Sequence, residues 1–129
     1  MKVLIAGGGT MGREIAKAIP EHEIIVIDRD PEVCQRLNDE LDATVVLGSA
    51  SRLHVLEKAG IADVGLVIAV TPKDSKNLLL SLYAKKLGKK VVARVREPTF
   101  LDIFQQAGVE HIISPEQRAA MDIAKQLTW

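Results

Sequence analysis

Short apolar runs alternate along this chain with stretches of helical spacing, and glycines or prolines sit at most of the seams. Residues 2–6 hold Val3, Leu4 and Ile5 in a run too short for a helix, and continuously apolar as a strand covered on both faces must be. Runs of the same kind occupy 24–27, 44–48, 65–70, 90–95 and 110–113. Between them the spacing predicts helices over 13–19, 52–59, 74–87, 98–107 and 115–127, with one more, carrying Cys34, between the second and third runs. Gly60, Gly88 and Gly108 end three of these helices. Pro98 and Pro115 open two, the second with Ser114 as its N-cap. Six strands separated by helices and short loops predict an α/β fold: a doubly wound, parallel, six-stranded Rossmann sheet of order 3-2-1-4-5-6. With no linker-like segment, 1–129 reads as one domain.

The first 28 residues carry the chemistry. The opening strand meets Gly7-Gly8-Gly9-Thr10-Met11-Gly12, which fits G-x-G-x-x-G; a helix follows, then a second apolar run that ends on Asp28. Strand, glycine turn, helix, strand and terminal acid stand in the order of a dinucleotide-binding βαβ unit. Gly7 allows the sharp exit from the strand. Gly9 has no Cβ, so a pyrophosphate can approach the backbone, and Gly12 lets the helix pack close to the sheet. The free N–H groups at the helix start favour an anion. Asp28 is placed to accept two ribose hydroxyls and to repel a 2′-phosphate, which favours NAD(H) over NADP. Arg29 has two readings, a partner for a 2′-phosphate or a cover for the adenine. ADP and ATP share the adenosine and the diphosphate, so the pattern admits them beside NAD(H). Thr71 and Pro72 leave the fourth strand where strand order reverses, the expected ligand crevice. Thr71 is placed for the distal ribose or phosphate. Asn77 is either a brace for that loop or a helix-surface amide.

Composition narrows the function classes. The chain of 129 residues is 47% hydrophobic and 26% charged with zero net charge, so no broad electrostatic claim on nucleic acid or a membrane surface is supported. Aromatic residues make up 3%, which leaves few rings for base stacking. No apolar run approaches the roughly 20 residues of a spanning helix, and Met1-Lys2-Val3 runs directly into a strand. One cysteine, Cys34, fits a reducing cytosol and a packing role away from the strand C-termini. His22, His54 and His111 are scattered, without metal-ligand spacing. Tyr83 and Lys86 are three apart, not the four of a short-chain reductase pair. The pieces support binding without catalysis. The rival is an NAD-dependent oxidoreductase whose substrate site another chain completes.

Taken in order, several blocks resemble one family. They are Gly7 to Gly12, Val26-Ile27-Asp28-Arg29-Asp30, Val46-Leu47-Gly48-Ser49-Ala50-Ser51, Val67-Ile68-Ala69-Val70-Thr71 followed by Asp74 and Asn77, Ala93-Arg94-Val95, and Ile113-Ser114-Pro115-Glu116. The chain resembles the KTN/RCK nucleotide-binding domain of Trk-type potassium-uptake regulators along nearly its whole length. The resemblance implies a cytosolic sensor of NAD(H) or another adenine nucleotide, peripheral to the inner face of the cell membrane through a potassium transporter or channel. It implies a homodimer or larger ring, no nucleic acid and no direct membrane insertion. It assigns Ser49 and Ala50 to the adenine edge and Arg94 to the distal half of the nucleotide, where a salt bridge is the other reading of that arginine. The family's smaller C-terminal ligand domain has no counterpart in these residues. Ser49 stands where members often carry Asp, Thr10 where some carry Arg beside the phosphates, and Lys76 where an acid usually precedes Asn77.

Two helices hold more apolar residues than one stripe needs: Leu78, Leu79, Leu80, Leu82 and Tyr83, then Phe100, Leu101, Ile103 and Phe104. The surplus is either ordinary exposed apolar area or an assembly surface, and the assembly reading is preferred. The last helix has one stripe, Ala119, Ala120, Ile123, Ala124 and Leu127, with Met121 and Trp129 off it.

Overall fold

In the computed structural model, which describes residues 1–127, β1 (Lys2–Ala6) lies at the centre of a six-stranded sheet. Around it run β2 (Glu23–Asp28), β3 (Thr44–Leu47), β4 (Leu66–Ala69), β5 (Lys90–Arg94) and β6 (His111–Ile113), in the order β3-β2-β1-β4-β5-β6. Every pairing is parallel. The predicted parallel sheet and its strand order are therefore met. Leu4 stands between Ile25 and Val67, and Ile5 between Val26 and Ile68, so neighbouring positions feed opposite faces of the sheet.

Each face has its own core. On one, Val3, Ile5, Val26 and Ile68 pack with Ala16 of α1 (Thr10–Ala18) and Leu37 of α2 (Pro31–Glu40). On the other, Leu4, Ile27, Val67 and Val91 pack with Leu56 of α3 (Leu53–Ala59), Leu80 and Ala84 of α4 (Asp74–Lys86), and Phe104 of α5 (Pro98–Gln106). Phe104, Leu4 and Ile5 are fully enclosed. Each such side chain contributes about 1.5–3 kcal/mol of transfer free energy. α1 and α2 thus cover one face of the sheet, and α3, α4 and α5 the other.

Boundaries move by a residue or two from the sequence reading, with one larger shift. α1 starts at Thr10 rather than 13, because the Gly9 carbonyl already accepts the Arg13 N–H at 2.9 Å and the second half of the glycine motif is helical. A 3-10 turn at Ile61–Asp63, missed in the pattern, joins α3 to β4. Ser114 does take the N-cap position of α6 (Pro115–Gln126), but its hydroxyl makes no capping bond.

α6 buries none of its residues. Ile123 and Leu127 of the predicted stripe are exposed, as is Met121 off it, so the stripe has no partner within the described residues. Trp129 lies outside them. The surplus on α4 and α5 divides. Leu80 and Phe104 are core, and Leu78, Tyr83, Phe100 and Leu101 pack against it, while Leu79, Leu82 and Ile103 face outward.

Candidate functional site

The C-terminal ends of β1, β2, β4 and β5 open on one cleft of about 460 Å³, at the point where strand order reverses. Its floor is the glycine loop. Gly7 has φ +108°, a conformation L side chains rarely adopt, and a Cβ there would lie 2.7 Å from the Val70 carbonyl oxygen. A Cβ on Gly12 would collide with the carbonyl oxygen of Gly7. Both glycines are therefore demanded by the fold, since they let α1 sit on the end of β1. Gly9 differs: a Cβ there would meet nothing within 4 Å. It is the N-cap of α1, no side chain caps that end, and no acid occupies the first turn. The helix start presents unshared N–H groups and positive dipole to open space in the cleft.

Asp28 ends β2 at the wall. Its Oδ2 accepts the Gly8 N–H at 2.8 Å and its Oδ1 accepts the Asp30 N–H at 2.8 Å. A carboxylate offers about four acceptor positions, so the two oxygens retain capacity for a pair of ribose hydroxyls. Asp30 in turn caps α2, accepting the Glu32 N–H at 2.9 Å ahead of Pro31. Ser49 and Ala50 also line the cleft, and the Ser49 hydroxyl lies 2.8 Å from that of Ser51.

The opposite wall is the loop after β4. Asn77 is fully buried and has all four of its hydrogen-bonding positions filled. Its Oδ1 accepts the Thr71 N–H at 2.9 Å and the Thr71 hydroxyl at 2.7 Å. Its Nδ2 donates to the carbonyls of Thr71 and Arg94, each at 3.0 Å. The brace reading of Asn77 is the correct one. The same bonds turn the Thr71 hydroxyl inward, to Asn77 and the Lys73 carbonyl. Thr71 therefore meets the cleft by position, with its hydroxyl already committed. Arg94 donates from a terminal nitrogen to the Thr71 carbonyl at 2.9 Å, while its Nε is buried without a partner. No carboxylate pairs with it among the described residues, so the salt-bridge reading is not met.

Of the residues assigned from sequence, Gly7, Gly9, Thr10, Met11, Asp28, Arg29, Ser49, Ala50, Thr71, Pro72 and Arg94 line the cleft. Gly8, Gly12 and Asn77 stand behind the lining and shape it. Sequence reasoning missed Asp30, Lys73 and Lys76 as lining residues. The signal for Lys76 was its place one residue before Asn77 in the first turn of α4. Partial burial first, then the charges of Arg29 and Lys73, hold the Lys76 amine below the ordinary lysine range. Cys34 corrects an expectation. Far from being remote from the strand ends, its thiol reaches the Asp28 carbonyl at 3.4 Å. Burial, then the Asp28 charge, pushes its pKa up, so it stays a protonated packing group.

The TrkA-N domain model matches residues 3–115. A Trk system potassium uptake protein TrkA homolog of Methanothermobacter thermautotrophicus is 33% identical over 131 residues, covering 99% of this chain and 61% of that protein. This chain thus spans about three-fifths of the relative's length. The TrkA-N domain of inner membrane protein ybaL from Escherichia coli superposes with TM-score 0.88 at 16% identity, over 98% of this chain and 96% of that one. At that identity the likeness speaks for the fold. The GsuK channel bound to NAD superposes with TM-score 0.75 at 25% identity, over 88% of this chain and 21% of that one.

Proposed function

We propose, since this chain belongs to the TrkA-N domain family, that it binds NAD(H), or ADP or ATP in its place, and reports occupancy to a membrane potassium transporter or channel. The observation that carries the reading is the pairing of an open Gly9 face at the start of α1 with the Asp28 carboxylate at the end of β2. The first takes a pyrophosphate and the second a ribose. The unpartnered Nε of Arg94 on the far side offers a donor to the distal half of the ligand. The likeness to the NAD-bound GsuK channel supports the same ligand.

Binding here needs no chemistry on the ligand, and the domain acts as a sensor. Occupancy leaves the site through the loop after β4. Asp74, buried at the head of α4, accepts the N–H groups of Arg96 and Glu97 at 2.8 Å each. Arg96 reaches Glu116 in the first turn of α6 at 3.5 Å. That exposed ion pair is weak by itself, so Asp74's hold on the backbone is the firmer link between cleft and α6. The unpartnered apolar residues of α6 then meet a second copy of the chain in a homodimer or ring, peripheral to the cytoplasmic face of the membrane. A ligand that fits one arrangement of the copies better than another shifts their balance.

Calorimetric titration of the chain with NADH, NAD, ADP, ATP and NADPH tests the ligand. Saturable binding of NADH or of an adenine nucleotide is expected. Absence of heat with all five at millimolar concentration defeats the reading. NADH oxidation by the pure chain on supply of a carbonyl substrate defeats the sensor in favour of an oxidoreductase.

A further inference from the structure

Arg94 is half-buried where β5 ends at the cleft, and it is held at two points. Its guanidinium donates through Nη2 to the Thr71 carbonyl at 2.9 Å. Its own main-chain carbonyl accepts from Asn77 Nδ2 at 3.0 Å. The same Nδ2 donates to the Thr71 carbonyl, also at 3.0 Å. One amide nitrogen therefore fixes both the backbone from which the arginine side chain springs and the carbonyl on which its tip rests. Asn77 Oδ1 holds that residue from its other side, accepting the Thr71 N–H at 2.9 Å. Asn77 itself is fully buried on α4 and stands outside the cleft lining, so it is not placed to touch a ligand there. No carboxylate competes for the guanidinium among the described residues, and its Nε is unpartnered. An arginine has much rotamer freedom to lose, and a planar donor set held in advance loses less of it on meeting a ligand.

We propose that Asn77 is a positioning residue for Arg94, and through it sets the preference for a ligand with a second nucleoside over one that ends at the first phosphate. This rests on the nucleotide reading above, in which Arg94 serves the distal half of the ligand, and names the residue that makes the distal half count. Adenosine and its first phosphate meet Asp28 and the start of α1, on the β1–β2 side of the cleft. The Asn77 amide supports the β4–β5 side. Loss of the amide therefore separates the two halves. The distal half is held less well, while adenosine is held as before.

The test measures the affinities of NADH and AMP by calorimetry. It uses the whole chain, Asn77→Ser, Arg94→Gln and the double variant, with thermal melts to check the fold. Each single change is expected to lower the preference for NADH over AMP by about fivefold or more, with AMP binding nearly unchanged. The double variant is expected to show no larger drop than Arg94→Gln alone, because one residue acts through the other. Drops that add in the double variant overturn the proposal. So does equal weakening of NADH and AMP in Asn77→Ser, which would make the amide a general support of the loop. An unchanged preference in Arg94→Gln also overturns it and leaves nucleotide binding standing. A wild type that binds neither ligand overturns the nucleotide reading as well. Should Asn77→Ser not fold, Asn77→Asp takes its place, since it keeps the shape and the acceptor for Thr71. Nitrogen NMR of the ligand-free wild type stands apart from either Asn77 variant. The Arg94 guanidinium, assigned by its loss in Arg94→Gln, is expected to show hindered rotation, and a freely rotating one overturns the anchor.

Discussion

The Oδ2 atom of Asp28 accepts the backbone N–H of Gly8 at 2.8 Å, so the acid that would face the ribose also holds the phosphate loop. The two parts of the proposed ligand site are thereby joined by a single hydrogen bond. Asp28→Ala is expected to weaken NADH and ADP alike, by about 1.5–3 kcal/mol for lost hydrogen bonds to a charged acceptor. It is also expected to narrow the gap between NADH and NADPH, because it removes the charge that repels a 2′-phosphate. Calorimetry on both proteins reads this directly. Unchanged NADH affinity removes Asp28 from the site.

The two glycines of the loop's second half separate binding from folding. Gly9→Val places a branched side chain in open space at the start of α1, so nucleotide binding is expected to vanish with the fold intact. Gly12→Ala drives a methyl into the Gly7 carbonyl, and about 1–3 kcal/mol or more of stability is expected to go. Thermal melts beside titrations distinguish the two. A Gly9→Val protein that binds as before contradicts the placement of the pyrophosphate.

Asn77→Leu keeps the branching of the side chain, with somewhat larger methyl groups, and removes its bonds. The N–H of Thr71 and the carbonyl of Arg94 would lose the amide's bonds in a buried place, while the Thr71 carbonyl keeps the Arg94 guanidinium. At about 1–3 kcal/mol for each buried group left unsatisfied, a loss of roughly 2 kcal/mol or more is expected by denaturant titration. A loss below about 1 kcal/mol would mean that water or a rearranged loop replaces the amide.

Asn77 also marks where the sequence stopped being readable. Strand order, the glycine loop and Asp28 were legible because each rests on a local rule: apolar runs, missing Cβ atoms, an acid at a strand end. The role of Asn77 depends on bonds to Thr71 and to Arg94, residues 6 and 17 positions away, and helical spacing carries no trace of them. Lys73 and Lys76 were overlooked for a similar reason. Their place at the cleft comes from the loop after β4 and the head of α4, which the sheet sets beside the glycine loop. Cys34 was placed away from the strand ends because helix spacing does not show which β2 carbonyl its turn lies beneath. The excess of leucines on α4 was visible, but which of them face outward depends on how the helix is rotated on β4 and β5.

The buried thiol of Cys34 makes stability depend on alkaline pH. Its pKa is raised in the folded chain, by burial and then by Asp28. The unfolded chain therefore releases the thiol proton first. The contribution to stability is complete below the ordinary thiol pKa of about 8.5 and is lost as pH rises above it. Lys76 works in the opposite direction, since its lowered pKa costs stability at neutral pH and that cost is relieved as the amine deprotonates. Subtracting the pH profile of Cys34→Ala from that of the wild type isolates the thiol. The difference is expected to shrink between about pH 8 and pH 10, and a flat difference would show that Cys34 is not held as its surroundings imply.

The last prediction concerns assembly, and burial decides which residues test it. Phe104 is fully enclosed, so a charge there would unfold the chain and report nothing about contacts between copies. Leu79 is 58% exposed, Leu82 43%, and Ile123 on α6 62%. An isolated exposed leucine is ordinary, but α6 buries none of its residues while carrying Met121 and Ile123, with exposed Leu127 just after it. A helix of twelve residues with no packed face has little to hold it in water, which argues that something covers it. Sedimentation of the wild type at micromolar concentration is expected to give a dimer or larger. Met121→Glu with Ile123→Glu should lower that mass if α6 forms the contact, and Leu79→Glu with Leu82→Glu should do so if α4 does. Neither pair touches the cleft, so nucleotide affinity should hold for the monomer unless binding and assembly are coupled. A wild-type chain that sediments as a monomer with and without nucleotide would leave the ligand site standing and remove the switch between arrangements of copies.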